Sequence, residues 1–91
     1  MTNKFDTTGD IIDMPTLDKT ESGGEIKMRR TMLNRPGRTA AEIVLAYLPH
    51  NTVTPFVTWQ RNTDDGSTYW GHYFTAADAD EAVADFAKRG Y

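Results

Sequence analysis

Two segments dense in β-branched and aromatic residues, TPFVTWQRN and STYWGHYF, flank TDDG in the second half of the chain. No other feature limits the fold as much. Val, Thr, Trp, Tyr and Phe suit a pleated, half-buried surface. An Asp-Gly pair suits a tight hairpin, because glycine accepts the positive φ that such turns demand. Pro55 can open the first strand but cannot sit within its ladder. A β-hairpin over residues 55–74 is therefore expected.

Two registers are open. A two-residue turn at Asp65-Gly66 pairs Arg61 with Trp70, Trp59 with His72 and Val57 with Phe74. Val57, Trp59, Trp70, His72 and Phe74 then share one face. Phe56, Tyr69, Gly71 and Tyr73 share the other. A three-residue Asp64–Gly66 turn slips the pairing by one. Trp59 then lies over Gly71, relieving a strand glycine, and the two tryptophans part company. The first register is preferred, because it builds one core from both indoles.

The hairpin needs a cover, and the C-terminus supplies one. Ala79, Ala82, Val83, Phe86 and Ala87 recur at helical spacing, giving a single apolar stripe. Asp78, Asp80 and Glu81 suit the positive N-terminus of that helix, and Lys88 and Arg89 suit its C-terminus. Thr75 or Asp78 can serve as N-cap and Gly90 as C-terminal cap. Because the stripe is thin, Trp59, Trp70 and Phe74 are expected to fill the space against Val83 and Phe86. Each ring would bury about 150–250 Å², equivalent to roughly 4–6 kcal/mol at about 25 cal/mol per Å². On that reading Trp70→Ala would cost about 3–5 kcal/mol, and His72 is a packed or hydrogen-bonded core histidine.

Upstream, IKMRRTML reads as a strand followed by a turn at NRPG. TAAEIVLAYL is divided. Thr39 and Glu42 form a capping-box signature for a helix, whereas Ile43, Val44, Leu45 and Tyr47 favour a strand. The preceding turn tips the reading to a strand. Residues 1–25 are polar, aperiodic and end in ESGGE, so a flexible acidic tail is expected there. Its apolar island, with Ile11 and Ile12 in DIIDM, could order on a partner. The expected fold is one α+β domain over residues 26–91. It has a small antiparallel sheet of three or four strands with the C-terminal helix on one face.

Charge is segregated. Residues 1–25 carry −4, residues 26–41 carry +5, and residues 42–91 carry −4. The basic block is Lys27, Arg29, Arg30, Arg35 and Arg38. It is either screened by the acidic tail or available to phosphates. With 91 residues and no cysteine, the chain has no disulfide to reinforce a small core and no thiolate for a metal or a nucleophile. Two histidines without a supporting carboxylate motif give no metal-ligand spacing. Neither Ser22 nor Ser67 stands in a nucleophile context. No phosphate-binding glycine loop is present. Neither metal nor cofactor is expected, nor is enzymatic activity. No apolar run approaches the roughly 20 residues that span a bilayer, and the N-terminus lacks the form of a signal peptide, so a cytoplasmic protein is expected.

The arrangement FVTW…DGSTYWGHYF followed by an acid-capped helix, residues 55–89, resembles small bacterial, phage and mobile-element proteins with no assigned activity. That resemblance implies a stand-alone accessory or interaction protein. The leading expectation is a protein-binding module using Phe56, Tyr69 and Tyr73 on the sheet, with Ile11 and Ile12 in the tail. The competing one is a nucleic-acid binder using the basic block and the exposed tyrosines.

Overall fold

A computed structural model describes residues 7–20, 23–31, 41–63 and 66–89. Its elements in chain order are helix α1 (Thr7–Asp13), strands β1 (Asp18–Lys19), β2 (Glu25–Thr31), β3 (Ala41–Tyr47), β4 (Phe56–Asn62) and β5 (Thr68–Phe74), and helix α2 (Ala79–Lys88). A single 3₁₀ turn, Ala76–Asp78, leads into α2. The strands form one antiparallel sheet in the order β1-β2-β3-β4-β5, so every strand pairs with its neighbour in sequence. The α+β class holds. The sheet has five strands rather than three or four, because Asp18 and Lys19 add a short outer strand to Ile26 and Glu25.

The divided segment is a strand. β3 lies at the centre of the sheet with both faces covered, and Ala41 to Ala46 are all buried. A strand in that position reads as a continuous apolar run rather than an alternation. Glu42 is no helix residue. Its carboxylate receives Arg29 Nε at 2.9 Å and Arg61 Nη1 at 2.8 Å.

Each face of the sheet has its own core. On the helix side Leu45 and Phe56 pack with Ile11, Ala79 and Ala82, and Phe74, Val83 and Phe86 close around them. On the opposite side Ile26, Val44, Ala46, Val57 and Trp59 pack together with Leu48. Trp59 therefore lies away from α2, contrary to the preferred register, and Trp70 belongs to neither core. Phe74 does lie under the helix, as expected.

The segment expected to be a tail contributes to this packing. α1 puts Ile11 into the helix-side core at 1% exposure. Residues 14–16 are tied down by Lys27, whose Nζ donates to Met14 O at 2.9 Å and Thr16 Oγ1 at 3.0 Å and pairs with Glu25 at 3.1 Å. Lys27 stands where the β2–β3 register shifts between Ile26 and Met28. The extra residue of that bulge turns its side chain out of the regular alternation. Asp18 in β1 reaches Arg61 in β4 at 2.9 Å, across two intervening strands. In a flat sheet those strands would stand about 14 Å apart, so the sheet coils toward the face that carries Trp59. Among the described residues no helix is long and apolar enough to cross a membrane.

Candidate functional site: an exposed aromatic bulge on the outer strand

The hairpin closes differently from either expectation. Asn62 N–H donates to Ser67 O at 2.8 Å and Gly66 N–H to Asn62 O at 2.8 Å. The loop therefore runs over residues 63–66, with Gly66 at φ 78°; Asp64 and Asp65 lie outside the described residues. Next to this loop Arg61 pairs with Thr68 and Gln60 with Tyr69. Farther on, Thr58 pairs with His72, Val57 with Tyr73 and Phe56 with Phe74. These far pairs follow the slipped register, not the preferred one. One extra residue on β5 reconciles the two halves, and the shift falls opposite Trp59.

Packing explains the slip. A Cβ on Gly71 would lie 2.7 Å from Trp59 Nε1 and 2.9 Å from Tyr73 Cε1. The Trp59 indole occupies the space that a side chain would need, and Tyr73 stands edge-on to it with centroids 6.4 Å apart. The loop imposes one register and this ring-on-glycine contact imposes the other. Trp70 absorbs the difference by adopting φ 52°, and it is the only non-glycine residue with positive φ among those described. Such a conformation costs an L-residue about 1–2 kcal/mol, and a bulge commonly re-aims a side chain. Here it turns the indole outward to 71% exposure, beside Tyr69 with ring centroids 6.1 Å apart.

The bulge disturbs the ladder, and a side chain from the end of α2 takes up the displaced carbonyls. Arg89 Nη1 donates to Thr58 O at 2.7 Å and to Thr58 Oγ1 at 3.2 Å, and its Nη2 donates to Trp70 O. Arg30 fixes the same helix end, donating from Nε to Phe86 O at 3.0 Å and from Nη2 to Arg89 O, with its guanidinium over the Phe86 ring. One turn back along α2, Asp85 accepts the Thr58 hydroxyl and His72 Nδ1–H, the latter at 3.0 Å. Burial pushes the Asp85 carboxyl upward, but those two hydrogen bonds and the charges of His72 and Arg89 outweigh it and hold the group below its ordinary value.

The expected site residues meet different fates. Tyr69 and Tyr73 are exposed but do not share the expected face: the bulge leaves Tyr69 opposite Gln60 on the helix side and Tyr73 opposite Val57 on the Trp59 side. Phe56 is fully buried on the helix side, because the slipped register places it opposite Phe74 in the core. Ile11 is core, while Ile12 on the same helix is exposed. His72 is hydrogen-bonded but half exposed rather than core. Lys27, Arg29 and Arg30 each have a partner within the chain, although Arg29 stays exposed. Arg35 and Arg38 lie outside the described residues, as do Thr39 and Gly90. Neither Thr75 nor Asp78 caps a helix with its side chain.

Sequence reasoning missed Trp70 as a surface residue and Arg89 as its clamp. The available signal was Gly71, whose place in an aromatic strand asks for a ring above it. A groove of about 450 Å³, lined by Gly23, Gly24 and residues 48–53, lies at the other end of the sheet. Among the described residues no three His, Asp or Glu side chains gather where they could hold a metal ion. No protein-family model, curated protein or solved structure matches the chain.

Proposed function

We propose that the protein is a non-catalytic interaction module that docks another protein on β5, with Trp70, Tyr69 and Tyr73 as anchors. One observation carries this reading. A tryptophan is held in a costly backbone conformation, by contacts from a distant helix end, in a position where most of its ring faces solvent. Tryptophan is highly buried on average, and together with tyrosine it supplies the dominant anchors of protein interfaces. Strain kept at an exposed position calls for a use. A stand-alone accessory role agrees with the resemblance carried by residues 55–89.

The nucleic-acid reading has less support. Three of the five basic residues it relies on are committed to Glu25, Glu42 and the end of α2. The test is affinity capture from cell extract with the wild-type chain and with Trp70→Gly, a change that leaves the core untouched. A partner held by the wild type and lost by the variant is expected. Capture of the same proteins by both would overturn the reading.

A further inference from the structure

Resting on that reading, we infer that the partner presents an extended, arginine- or lysine-bearing segment that pairs along the outer edge of β5 as a sixth strand. β5 ends the sheet, and among the described residues only β4 pairs with it. Such an edge offers unmet backbone donors and acceptors to any extended chain. Edges that must stay unpaired are usually blunted by a bulge, which in β5 is confined to the Trp70 end, or by lysine or proline. β5 reads TYWGHYF and contains neither lysine nor proline.

Its one irregularity lies at Trp70, so the stretch from Gly71 to Phe74 remains a regular template for main-chain pairing. That template decides the backbone of the partner; charge decides its side chains. Asp85 touches His72, so its flank of α2 faces β5. Glu81 precedes Asp85 by one turn, which places both carboxylates along that flank, and Asp78 ends the 3₁₀ turn immediately before α2. Glu81 is exposed. Lys88, three residues past Asp85, closes the far end of this flank, so its acidic part is the start of α2. There the nearby arginines offer no compensation to an incoming chain. Arg89 is spent on the bulge carbonyls, Arg30 on the end of α2, and Arg61 on Glu42 and Asp18.

A cation on the partner therefore meets carboxylates at the start of α2 and the faces of Tyr69 and Trp70 at the bulge, where a guanidinium stacks well. Side chains of an added strand alternate between the two faces. Basic residues belong on the helix side, and apolar or β-branched ones belong beside Tyr73. A second copy of this chain fits poorly. Its β5 has no lysine or arginine and its His72 is already held by Asp85, and pairing two such edges brings two acidic helix flanks together.

Fluorescence anisotropy on the full chain at low salt tests this, with three labelled peptides. One alternates Arg and Val, one alternates Glu and Val, and the third repeats the Arg-Val sequence with N-methylated backbone positions. The Arg-Val peptide is expected to bind, with the Glu-Val peptide weaker by about tenfold or more and the N-methylated one not retained. Glu81→Gln combined with Asp78→Asn should weaken Arg-Val binding by about fivefold, and Trp70→Gly should weaken it further. Equal binding of the Arg-Val and Glu-Val peptides, or undiminished binding after N-methylation, overturns the inference. So does binding that ignores Trp70→Gly. If no peptide binds while Trp70→Gly still loses a captured partner, the basic strand is wrong and the docking site stands. Concentration-dependent self-association abolished by Trp70→Gly would assign the edge to a second copy and overturn it too.

Discussion

At the scale of single residues, the two tryptophans make opposite predictions. Trp59 is buried against Gly71 and Tyr73, so Trp59→Ala should cost about 3–5 kcal/mol in urea or thermal unfolding. Trp70 is mostly solvated and sits at φ 52°. Trp70→Gly removes a left-handed conformation that disfavours an L-residue and adds only the backbone freedom of glycine. It should raise stability by about 0.5 kcal/mol. A loss larger than about 1 kcal/mol would mean the ring contributes packing that its exposure does not reveal. The expectation that Trp70→Ala is severely destabilising falls with the preferred register. Within STYWGHYF only Gly71 hints that its neighbouring tryptophan is displaced from the core by a bulge. The distinction depends on whether the hairpin loop and the Trp59–Gly71 contact ask for the same pairing, and the loop runs to four residues where Asp-Gly suggested two.

At the scale of elements, α2 and the hairpin are joined through Asp85, and that joint is sensitive to acid. The folded-state carboxyl lies below its ordinary value of 3.8. The folded protein therefore favours the ionised form more than the unfolded chain does. That stabilisation is complete above the unfolded value and disappears as pH falls through the lower, folded one. Between about pH 5 and pH 2 the urea midpoint of the wild type should fall more steeply than that of Asp85→Asn. Near neutrality the variant should be less stable by about 1–3 kcal/mol, having lost a charged acceptor for Thr58 and His72. Parallel acid limbs in the two proteins would refute the assignment. α2 itself was legible from its alanine and phenylalanine spacing and its terminal charges. The contacts that dock it were not, because Arg30, Thr58, Asp85 and Arg89 come together only once the sheet exists. β3 was half legible. Its alanines and the Thr39–Glu42 pattern imitate a helix start, and burial on both faces erased the alternation that marks a strand.

At the scale of the whole molecule, the helix-side core draws on both ends of the described chain, with Ile11 from α1 packed against Ala79 and Ala82 from α2. Seven residues are too few to hold a helix in isolation, so α1 exists by virtue of this contact. Ile11→Ala should cost about 2–4 kcal/mol and release the backbone amides of α1 to fast hydrogen exchange, while β3 and β4 stay protected. A loss under about 0.5 kcal/mol would show that α1 is not part of the folded unit. The island DIIDM gave little sign of this role. A single buried isoleucine among aspartates has no periodicity to read, and its partners Leu45, Phe56, Ala79 and Ala82 all lie more than thirty positions away in sequence.

The meander has a kinetic consequence. Because each strand pairs with the next, the sheet can assemble from successive local hairpins whose loops cost little entropy to close. The contacts that seal the finished molecule are of another kind. Asp18 meets Arg61 across 43 positions, and Arg30 meets Phe86 across 56. They become available only when the sheet has formed and coiled, so they belong to the native side of the folding barrier. Interactions placed there govern how slowly a protein comes apart rather than how quickly it forms. The arginine clamps thus act as brakes on unfolding, and they hold the strained tryptophan in place for as long as they last.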